Sequence, residues 1–183
     1  MQRFAFLQPR AFIGVDGGYF RISLDRFNDV YANRWGPTYG GHVGVRIFRV
    51  HYLTVKYRHF EQSGKQGIHQ ATGKDLSLAN WNEDWYTLGL RVHPSKQGRW
   101  DSYYGFGYTF YRLKEEAGIS VYNDNDDQEK SGGGFYLELG IERYLIDRAA
   151  LFFEMEISSG GIGGRAGFEG QSIGGFLFMG GLT

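Results

Sequence analysis

Three side chains between His59 and Ser63 are of the types that nucleophilic catalysis needs. The run is His59-Phe60-Glu61-Gln62-Ser63, so an imidazole, a carboxylate and a hydroxyl lie close together in the chain. A base that takes the hydroxyl proton, and is itself oriented by an acid, activates a serine nucleophile. One hypothesis is therefore ester hydrolysis; the other is that these residues form the polar end of a strand.

Ten further charged residues alternate with apolar residues along the chain. They are five cations and five anions: Asp16, Arg21, Arg46, Lys56, Arg58, Arg91, Glu138, Glu142, Glu154 and Glu156. Because an unpaired charge inside a protein is costly, equal numbers of both signs favour a shared interior in which they pair. We interpret these carboxylates as partners of arginine and lysine rather than as an acid/base pair.

An acidic run at residues 123–129, Asn-Asp-Asn-Asp-Asp-Gln-Glu, offers oxygen atoms of the kind that bind calcium. The order of its residues does not match an EF-hand loop, so we interpret the run as a solvated acidic loop rather than as a calcium site. The histidines at positions 42, 51, 69 and 93 lie on different predicted elements and form no ligand cluster. The sequence therefore predicts no metal site and no cofactor.

The composition excludes several classes of protein. The 183 residues carry 20 Lys+Arg and 20 Asp+Glu, so no basic surface for nucleic acid is expected. The absence of cysteine excludes disulfides and thiolate zinc sites. No apolar run approaches the roughly 20 residues of a membrane-spanning helix. The 29 glycines and 17% aromatic residues, with alternating hydrophobicity, are typical of a closed antiparallel barrel.

The clearest alternation lies in residues 133–158, GGFYLELGIERYLIDRAALFFEMEIS. A period of two predicts two strands joined by a tight reversal at Leu145-Ile146-Asp147-Arg148, with one face wholly apolar and the other carrying four carboxylates. In a soluble barrel the apolar face would line the interior and bind a small apolar ligand, as in a lipocalin. In a membrane barrel the apolar face meets lipid and the charges point inward.

The connections between strands favour the membrane barrel. We expect a lead-in at residues 1–10 and a single barrel domain at 11–183, with eight antiparallel strands in up-and-down order. Four long polar loops, at about 25–37, 63–84, 115–131 and 159–170, would lie at one end and three shorter turns at the other. Long outer loops, short periplasmic turns and an even strand number are typical of outer-membrane barrels.

Two details of this prediction concern where side chains point. The alternation of the first strand changes phase near Gly17-Gly18, which predicts a bulge with Arg21 inside and Phe20 and Ile22 outside. Ten aromatic residues fall near strand ends, where two girdles at the lipid–water interfaces are expected. They are Tyr31, Trp35, Tyr39, Tyr52, Trp81, Trp85, Trp100, Tyr103, Tyr104 and Tyr144. The alternative for these aromatics is ordinary packing at strand ends.

The overall pattern resembles the small eight-stranded outer-membrane barrels, the family typified by the transmembrane domain of outer-membrane protein A. The segments that carry it are FIGVDGGYF, YGGHVGVRIFRVHYLTVKYRHF, YYGFGYTFYRL, FYLELGIERYLIDRAALFFEMEIS and IGGFLFMGGLT. The resemblance implies the outer membrane of a Gram-negative cell envelope and insertion by its barrel-assembly machinery. Such chains usually end on an aromatic residue, whereas this sequence ends at Thr183, and residues 1–10 lack the features of a secretory signal.

This resemblance also bears on the hydrolase hypothesis. Outer-membrane lipid A deacylases and phospholipases place a histidine and a serine near such a rim in a His-x-Ser-Asn pattern, but here three residues separate His59 from Ser63 and no asparagine follows.

An eight-stranded barrel is just wide enough for its own side chains. We therefore predict a non-enzymatic, closed outer-membrane barrel. Its loops would contact a protein, a surface polymer or another copy of the chain. The alternatives are a lipid hydrolase and a soluble ligand carrier.

Overall fold

One antiparallel sheet contains almost all of the residues that the computed structural model describes, which are 9–24, 27–68, 73, 75–116, 128–162 and 171–183. Its strands are β1 (Ala11–Ile22), β2 (Trp35–Phe48), β3 (His51–Ser63), β4 (Asn80–Gln97), β5 (Trp100–Glu116), β6 (Gln128–Ile146), β7 (Ala149–Ile162), β8 (Gln171–Ser172) and β9 (Gly175–Leu182). A short helix, α1 (Phe27–Val30), and a 3-10 turn, Leu76–Leu78, lie between strands.

The sheet closes on itself. Each strand from β1 to β7 pairs antiparallel with the next, and β9 pairs with both β7 and β1. The two-residue β8 also pairs with β7, so β8 and β9 together fill the eighth position around the barrel. Closure removes the unpaired strand edges that an open sheet would expose. The predicted eight-stranded antiparallel up-and-down barrel is confirmed.

The apolar rows face outward and the charges face inward. Leu139 on β6 is 66% exposed and its neighbour Glu138 is 1% exposed, because successive side chains of a strand point to opposite faces. The same alternation exposes Leu151 and Phe153 on β7 and buries Glu154. A soluble lipocalin-like barrel requires the opposite arrangement, so that alternative is wrong. The outer surface is instead suited to hydrocarbon.

The three short connections lie at one end, which we call the turn end; the opposite end is the loop end. The turns are Arg49-Val50, Gly98-Arg99 and Asp147-Arg148, and Gly98 adopts a φ of 65°, which favours glycine. The strand pairing is irregular beside each of them, between Arg46 and Phe48, between Val92 and Ser95, and between Tyr144 and Ile146. Such bulges bend a strand and increase its twist.

The strands extend further toward the loop end than the sequence predicts. β2 begins at Trp35 rather than at residue 38, and β4 begins at Asn80 rather than at about residue 85. β5 and β6 are the longest pair, with 17 and 19 residues, whereas β1 has 12. Residues 117–127 and 163–170 of the predicted third and fourth loops lie outside the described residues.

The first strand has no bulge near Gly17-Gly18. β1 pairs with β2 in unbroken register from Ala11 to Arg21. Phe20 and Ile22 therefore point inward and are fully buried, and Arg21, between them, takes the outer face. The predicted inward placement of Arg21 is wrong, because the apparent change of phase reflects apolar residues on both faces rather than an extra residue.

The interior near the loop end is an apolar core. Phe20 packs against Trp85 at 4.5 Å and against Phe60 at 5.1 Å between ring centroids. Phe27 of α1 and Tyr31, which directly follows α1, stack on each other at 4.5 Å, and both contact Trp81. The other buried members of this loop-end core are Ile22, Leu24, Val30, Leu76, Ala79, Tyr111, Leu113, Ile173 and Leu177. The same apolar cluster continues along the wall to Met179, level with Glu154, and to Phe152, on the turn side of Glu154.

This core corrects the predicted aromatic girdles. Four of the ten aromatics are exposed on the outer surface: Trp35, Tyr39, Trp100 and Tyr104. Six are buried instead: Tyr31, Tyr52, Trp81, Trp85, Tyr103 and Tyr144. Their strand positions have inward parity, so they fill the barrel. The alternative, packing at strand ends, describes these six correctly.

Two loop segments cover the loop end. The backbone of Tyr31 bridges to that of Gly64, so the first and second loops are joined above the barrel. The 3-10 turn that places Leu76 in the core is capped by Asp75, which accepts hydrogen bonds from the backbone N–H and the hydroxyl of Ser77. These hydrogen bonds lower the pKa of Asp75. No helix in the described part of the chain is both long and apolar enough to cross a membrane.

The outer surface predicts a depth-dependent cost of charge. We expect Leu139→Arg, near the middle of β6, to destabilise the folded barrel in lipid by about 2–4 kcal/mol. Ile146→Arg, equally exposed but beside a turn, should cost about 0–1 kcal/mol. Urea unfolding in phospholipid vesicles measures both variants. Equal costs would contradict the assignment of this surface to lipid.

Candidate functional site

The middle of the barrel holds a cluster of ionised side chains, which we call the central ion cluster. Lys56 and Arg58 are two residues apart on β3, so both point inward, and Arg91 does so from β4. Glu138 projects from β6, and Glu154 and Glu156 from β7. Cations on one half of the wall therefore face anions on the other half. None of these six side chains is more than 4% exposed.

Lys56 lies at the centre of this cluster. Its ammonium donates to the carboxylates of Glu138, Glu154 at 3.0 Å and Glu156 at 3.2 Å. It also lies 4.8 Å from the centroid of the Tyr136 ring, within the range of a cation–π contact. A lysine has three N–H donors and here each has a carboxylate, which compensates for the loss of water.

The two arginines complete the cluster on either side of Lys56. Arg58 donates to Glu156 at 2.7 Å and to Glu154 at 3.0 Å, and its Nε lies 3.4 Å from Asp16 on β1. Arg91 donates to Glu138 at 2.9 Å and to Glu154 at 2.6 Å. Charge-assisted pairs of this length are among the stronger hydrogen bonds in proteins.

Small and aromatic residues make room for these groups. Tyr103 donates its hydroxyl proton to Glu154 at 2.8 Å, and the Arg91 guanidinium lies 4.0 Å from the Tyr103 ring centroid. A Cβ at Gly105 would overlap the carboxylate of Glu138, so the cluster needs glycine at this inward position.

The structure brings together most of the charged residues singled out in the sequence. Glu142 lies at the edge of the cluster, 4.0 Å from Arg91. Arg46 lies near the turn end, where it interacts with Tyr52. With Arg21 outside and Arg46 apart, the cluster holds three of the five predicted cations.

Histidine supplies a partner that the sequence analysis missed. His42 on β2 points inward, and its Nδ1 lies 3.0 Å from Asp16. Asp16 is thereby held between His42 and Arg58. The inward parity of position 42 was visible in the sequence, but its distance of 26 residues from Asp16 concealed the pairing.

Three buried carboxylates were also missed. Asp101, predicted to lie in a turn, is the second residue of β5 and pairs with His93 at 2.9 Å. Near the loop end, Glu83 accepts from Trp81, and Glu115 accepts from Tyr31. All three were assigned to loops or turns because the strands extend further than the alternation indicates.

The geometry does not assemble His59, Glu61 and Ser63 into a catalytic group. The three residues occupy every second position of β3. His59 and Ser63 are therefore about 13 Å apart along the strand, beyond hydrogen-bond reach. The carboxylate at His59 is Asp84, at 2.9 Å, and Asp84 also accepts from Tyr57. Glu61 accepts from Asn80 instead.

The acidic run at residues 123–129 is only partly described. Residues 123–127 lie outside the described residues, and Glu129 on β6 pairs with Arg112 on β5.

Removing the central cation should destabilise the barrel strongly. Lys56→Met leaves carboxylates buried without their shared partner, and we expect a loss of about 3–5 kcal/mol in the free energy of unfolding. Adding Glu138→Gln to this variant should recover part of the loss, because one of the unpaired charges is then gone. Urea unfolding in vesicles measures the free energy of unfolding of the wild type and of both variants.

The exposed pair of Arg112 and Glu129 provides the matched control. Because both side chains are more than half exposed, Arg112→Ala should change the free energy of unfolding by at most about 1 kcal/mol. A Lys56→Met variant as stable as this control would show that the central ion cluster does not hold the barrel together.

Comparison with known proteins gives matches at the level of structure. No family model and no curated protein sequence matches the chain. Neisserial surface protein A is similar with a TM-score of 0.67 and 13% identity, covering 96% of this chain and 97% of that one. The N-terminal β-barrel domain of Pseudomonas aeruginosa OprF gives a TM-score of 0.55 and 11% identity, with 95% and 98% covered.

A third similar structure is Ail, the attachment invasion locus protein of Yersinia pestis, with a TM-score of 0.51 and 9% identity; the alignment covers 96% of this chain and 100% of that chain. At these identities the likeness establishes the fold. The barrel's own surface indicates that lipid surrounds it, because the barrel exposes apolar rows and encloses its ionised groups. That arrangement is characteristic of a bacterial outer-membrane protein. The chain has the fold of the small eight-stranded outer-membrane β-barrels.

Proposed function

We propose that the protein is a non-enzymatic outer-membrane barrel that anchors its outer loops at the cell surface. The observation that carries this proposal is the filled interior. The loop-end core and the central ion cluster occupy the barrel one above the other, and both consist of buried side chains. A lumen packed in this way supports a rigid anchor and leaves no continuous path for solutes.

The closed interior predicts the absence of pore activity. We expect liposomes that contain the full chain to release a trapped small sugar no faster than empty liposomes. A 16-stranded porin, reconstituted identically, provides the positive control because its lumen is water-filled. Sugar release above the background would contradict the proposed anchoring role.

The described residues of the outer rim give the hydrolase alternative no support. An imidazole and a carboxylate pair there at His59 and Asp84, and the hydroxyl that shares the carboxylate belongs to Tyr57. Ser63 is too far along β3 to lose its proton to His59. The proposed function therefore includes no catalytic residue.

The outer loops are proposed to contact a protein, a surface polymer or a second copy of the chain. The four connections, at 23–34, 64–79, 117–127 and 163–174, carry five basic and seven acidic residues. Ail has been solved in complex with sucrose octasulfate, a heparin analogue. The excess of acidic residues in these loops favours a neutral or cationic partner over such a polyanion.

The proposed orientation can be tested by labelling, because the chain contains no cysteine. We expect Ser77→Cys, in the second long loop, to react with a membrane-impermeant maleimide on intact cells. Asp147→Cys, in a turn, should react only after the outer membrane has been permeabilised. Both side chains are exposed, so access across the membrane is the variable that differs. Labelling of Asp147→Cys on intact cells would refute the orientation.

A further inference from the structure

A second group of ionisable side chains lies inside the barrel near the turn end, separate from the central ion cluster. It consists of His93 on β4, Asp101 on β5 and Glu142 on β6. Asp101 and Glu142 are direct partners in the pairing of β5 with β6, so their carboxylates project inward side by side. His93 follows the irregular pairing at Val92, and it lies between the rings of Tyr52 and Tyr103, with centroids 5.0 and 5.3 Å away.

The geometry of this group is that of a set of metal ligands. Each of the three residues offers a nitrogen or oxygen atom, and these atoms all lie within 4.8 Å of one another. The side chains are buried, with exposures of 4% for His93 and 3% for both Asp101 and Glu142. Nδ1 of His93 lies 2.9 Å from Asp101 Oδ2, a separation that two ligand atoms of one tetrahedral ion can keep, so the ion would replace this hydrogen bond.

Two polar atoms of the group are still able to accept a hydrogen bond or bind an ion. His93 Nε2 and Asp101 Oδ1 are buried and have no hydrogen-bond partner within the described part of the chain. Buried polar atoms are nearly always hydrogen-bonded, so the orphaned oxygen of Asp101, in a carboxylate that already contacts Nδ1 of His93, calls for a ligand. A neutral imidazole nitrogen and a carboxylate oxygen are both good donors to a divalent metal ion.

The local charge points to the same conclusion. Two carboxylates lie together, and the guanidinium of Arg91 approaches only Glu142, at 4.0 Å, because its shorter contacts are with Glu138 and Glu154. Tyr144 donates to Glu142 at 3.4 Å but carries no charge. Arg46 is a further cation near the turn end, where it interacts with Tyr52. A divalent ion would add positive charge directly between the two adjacent buried carboxylates.

The contrast with the central ion cluster supports this interpretation. There, the carboxylates of Glu138, Glu154 and Glu156 also lie within 4.8 Å of one another, but Lys56 already lies among them. A metal ion at that position would have to displace an ammonium group. At the turn end no ammonium group occupies the equivalent position in the part of the structure that is described.

An ion can reach the group from the turn end. A cavity of about 610 Å³ is lined by His93, Glu142, Tyr52 and Tyr144, and it continues to Asp147 and Arg148 in the last turn. In the proposed orientation the turn end faces the periplasm, so the cavity joins the ligand set to the aqueous phase from which a metal ion would come.

We propose that His93, Asp101 and Glu142 bind one divalent transition-metal ion at the periplasmic mouth of the barrel. One nitrogen and two carboxylate ligands suit zinc and its neighbours better than magnesium or calcium, which prefer oxygen alone. The three residues come from three adjacent strands, so a bound ion would tie β4, β5 and β6 together.

Zinc chloride titrated into the detergent-solubilised, tag-free full chain provides the test. By isothermal titration calorimetry we expect one zinc ion per chain, and an excess of Mg²⁺ should not compete. His93→Gln and Glu142→Gln should each weaken zinc binding at least tenfold. Zinc should also raise the unfolding temperature of the wild type, and it should not do so for His93→Gln.

His42→Gln is the matched control. His42 is also a buried histidine paired with an aspartate, and its Nε2 is likewise without a partner among the described residues, but it belongs to no group of three ligands there. This variant should keep the wild-type zinc affinity. Heat-modifiable migration on gels shows whether each variant folds. If His93→Gln or Glu142→Gln does not fold, Asp101→Asn takes its place in the zinc titration.

Three results would overturn the proposal: no zinc binding by the wild type, unchanged affinity in the folded ligand variants, or an equal loss of affinity in His42→Gln.

Discussion

The need to enclose and pair charge governs this structure. Hydrocarbon surrounds the wall, so an ionised side chain in the middle of a strand has only the interior available to it. Lys56, Arg58 and Arg91 enter from β3 and β4, and their partners enter from β6, β7 and β1. Each of these pairs spans the interior rather than linking neighbouring strands. The paired state therefore requires the closed barrel, and an open sheet would leave the charges buried against lipid.

The interior changes character along the barrel axis. The loop-end core packs in the same way as the core of a water-soluble protein, with aromatic rings at right angles and aliphatic residues between them. Below it the central ion cluster replaces apolar packing with charge-assisted hydrogen bonds. Nearest the turn end, His93 and Glu142 line a cavity. Among the described residues, buried side chains thus fill the interior toward the loop end and leave a cavity toward the turn end.

Sequence patterns predict the strands well wherever the two faces differ in polarity. β6 and β7 alternate leucine or phenylalanine with glutamate, so their register and direction follow from a period of two. The difference in polarity between the two faces of a strand disappears near the loop end, because the interior is apolar there as well. This explains why Phe20 and Ile22 were expected outside, and why Trp81 and Trp85 were assigned to an interfacial girdle.

Pairings across the barrel could not be predicted in the same way. The partners of Lys56 are 82, 98 and 100 residues away in the chain, so their alignment depends on register added over several strands. The sequence indicated that these charges share an interior, but not which of them meet. His42 and His93 were dismissed for the same reason, since each finds its carboxylate only once neighbouring strands are aligned.

The unequal strand lengths give the molecule a slanted rim. At a rise of about 3.4 Å per residue and a tilt of about 40°, the 19 residues of β6 reach a height of about 50 Å, and the 12 residues of β1 about 30 Å. The apolar band of such barrels is only about 25 Å tall. The β5–β6 hairpin therefore projects above the bilayer on one side of the barrel. A molecule that binds the protein from outside would contact this raised edge first.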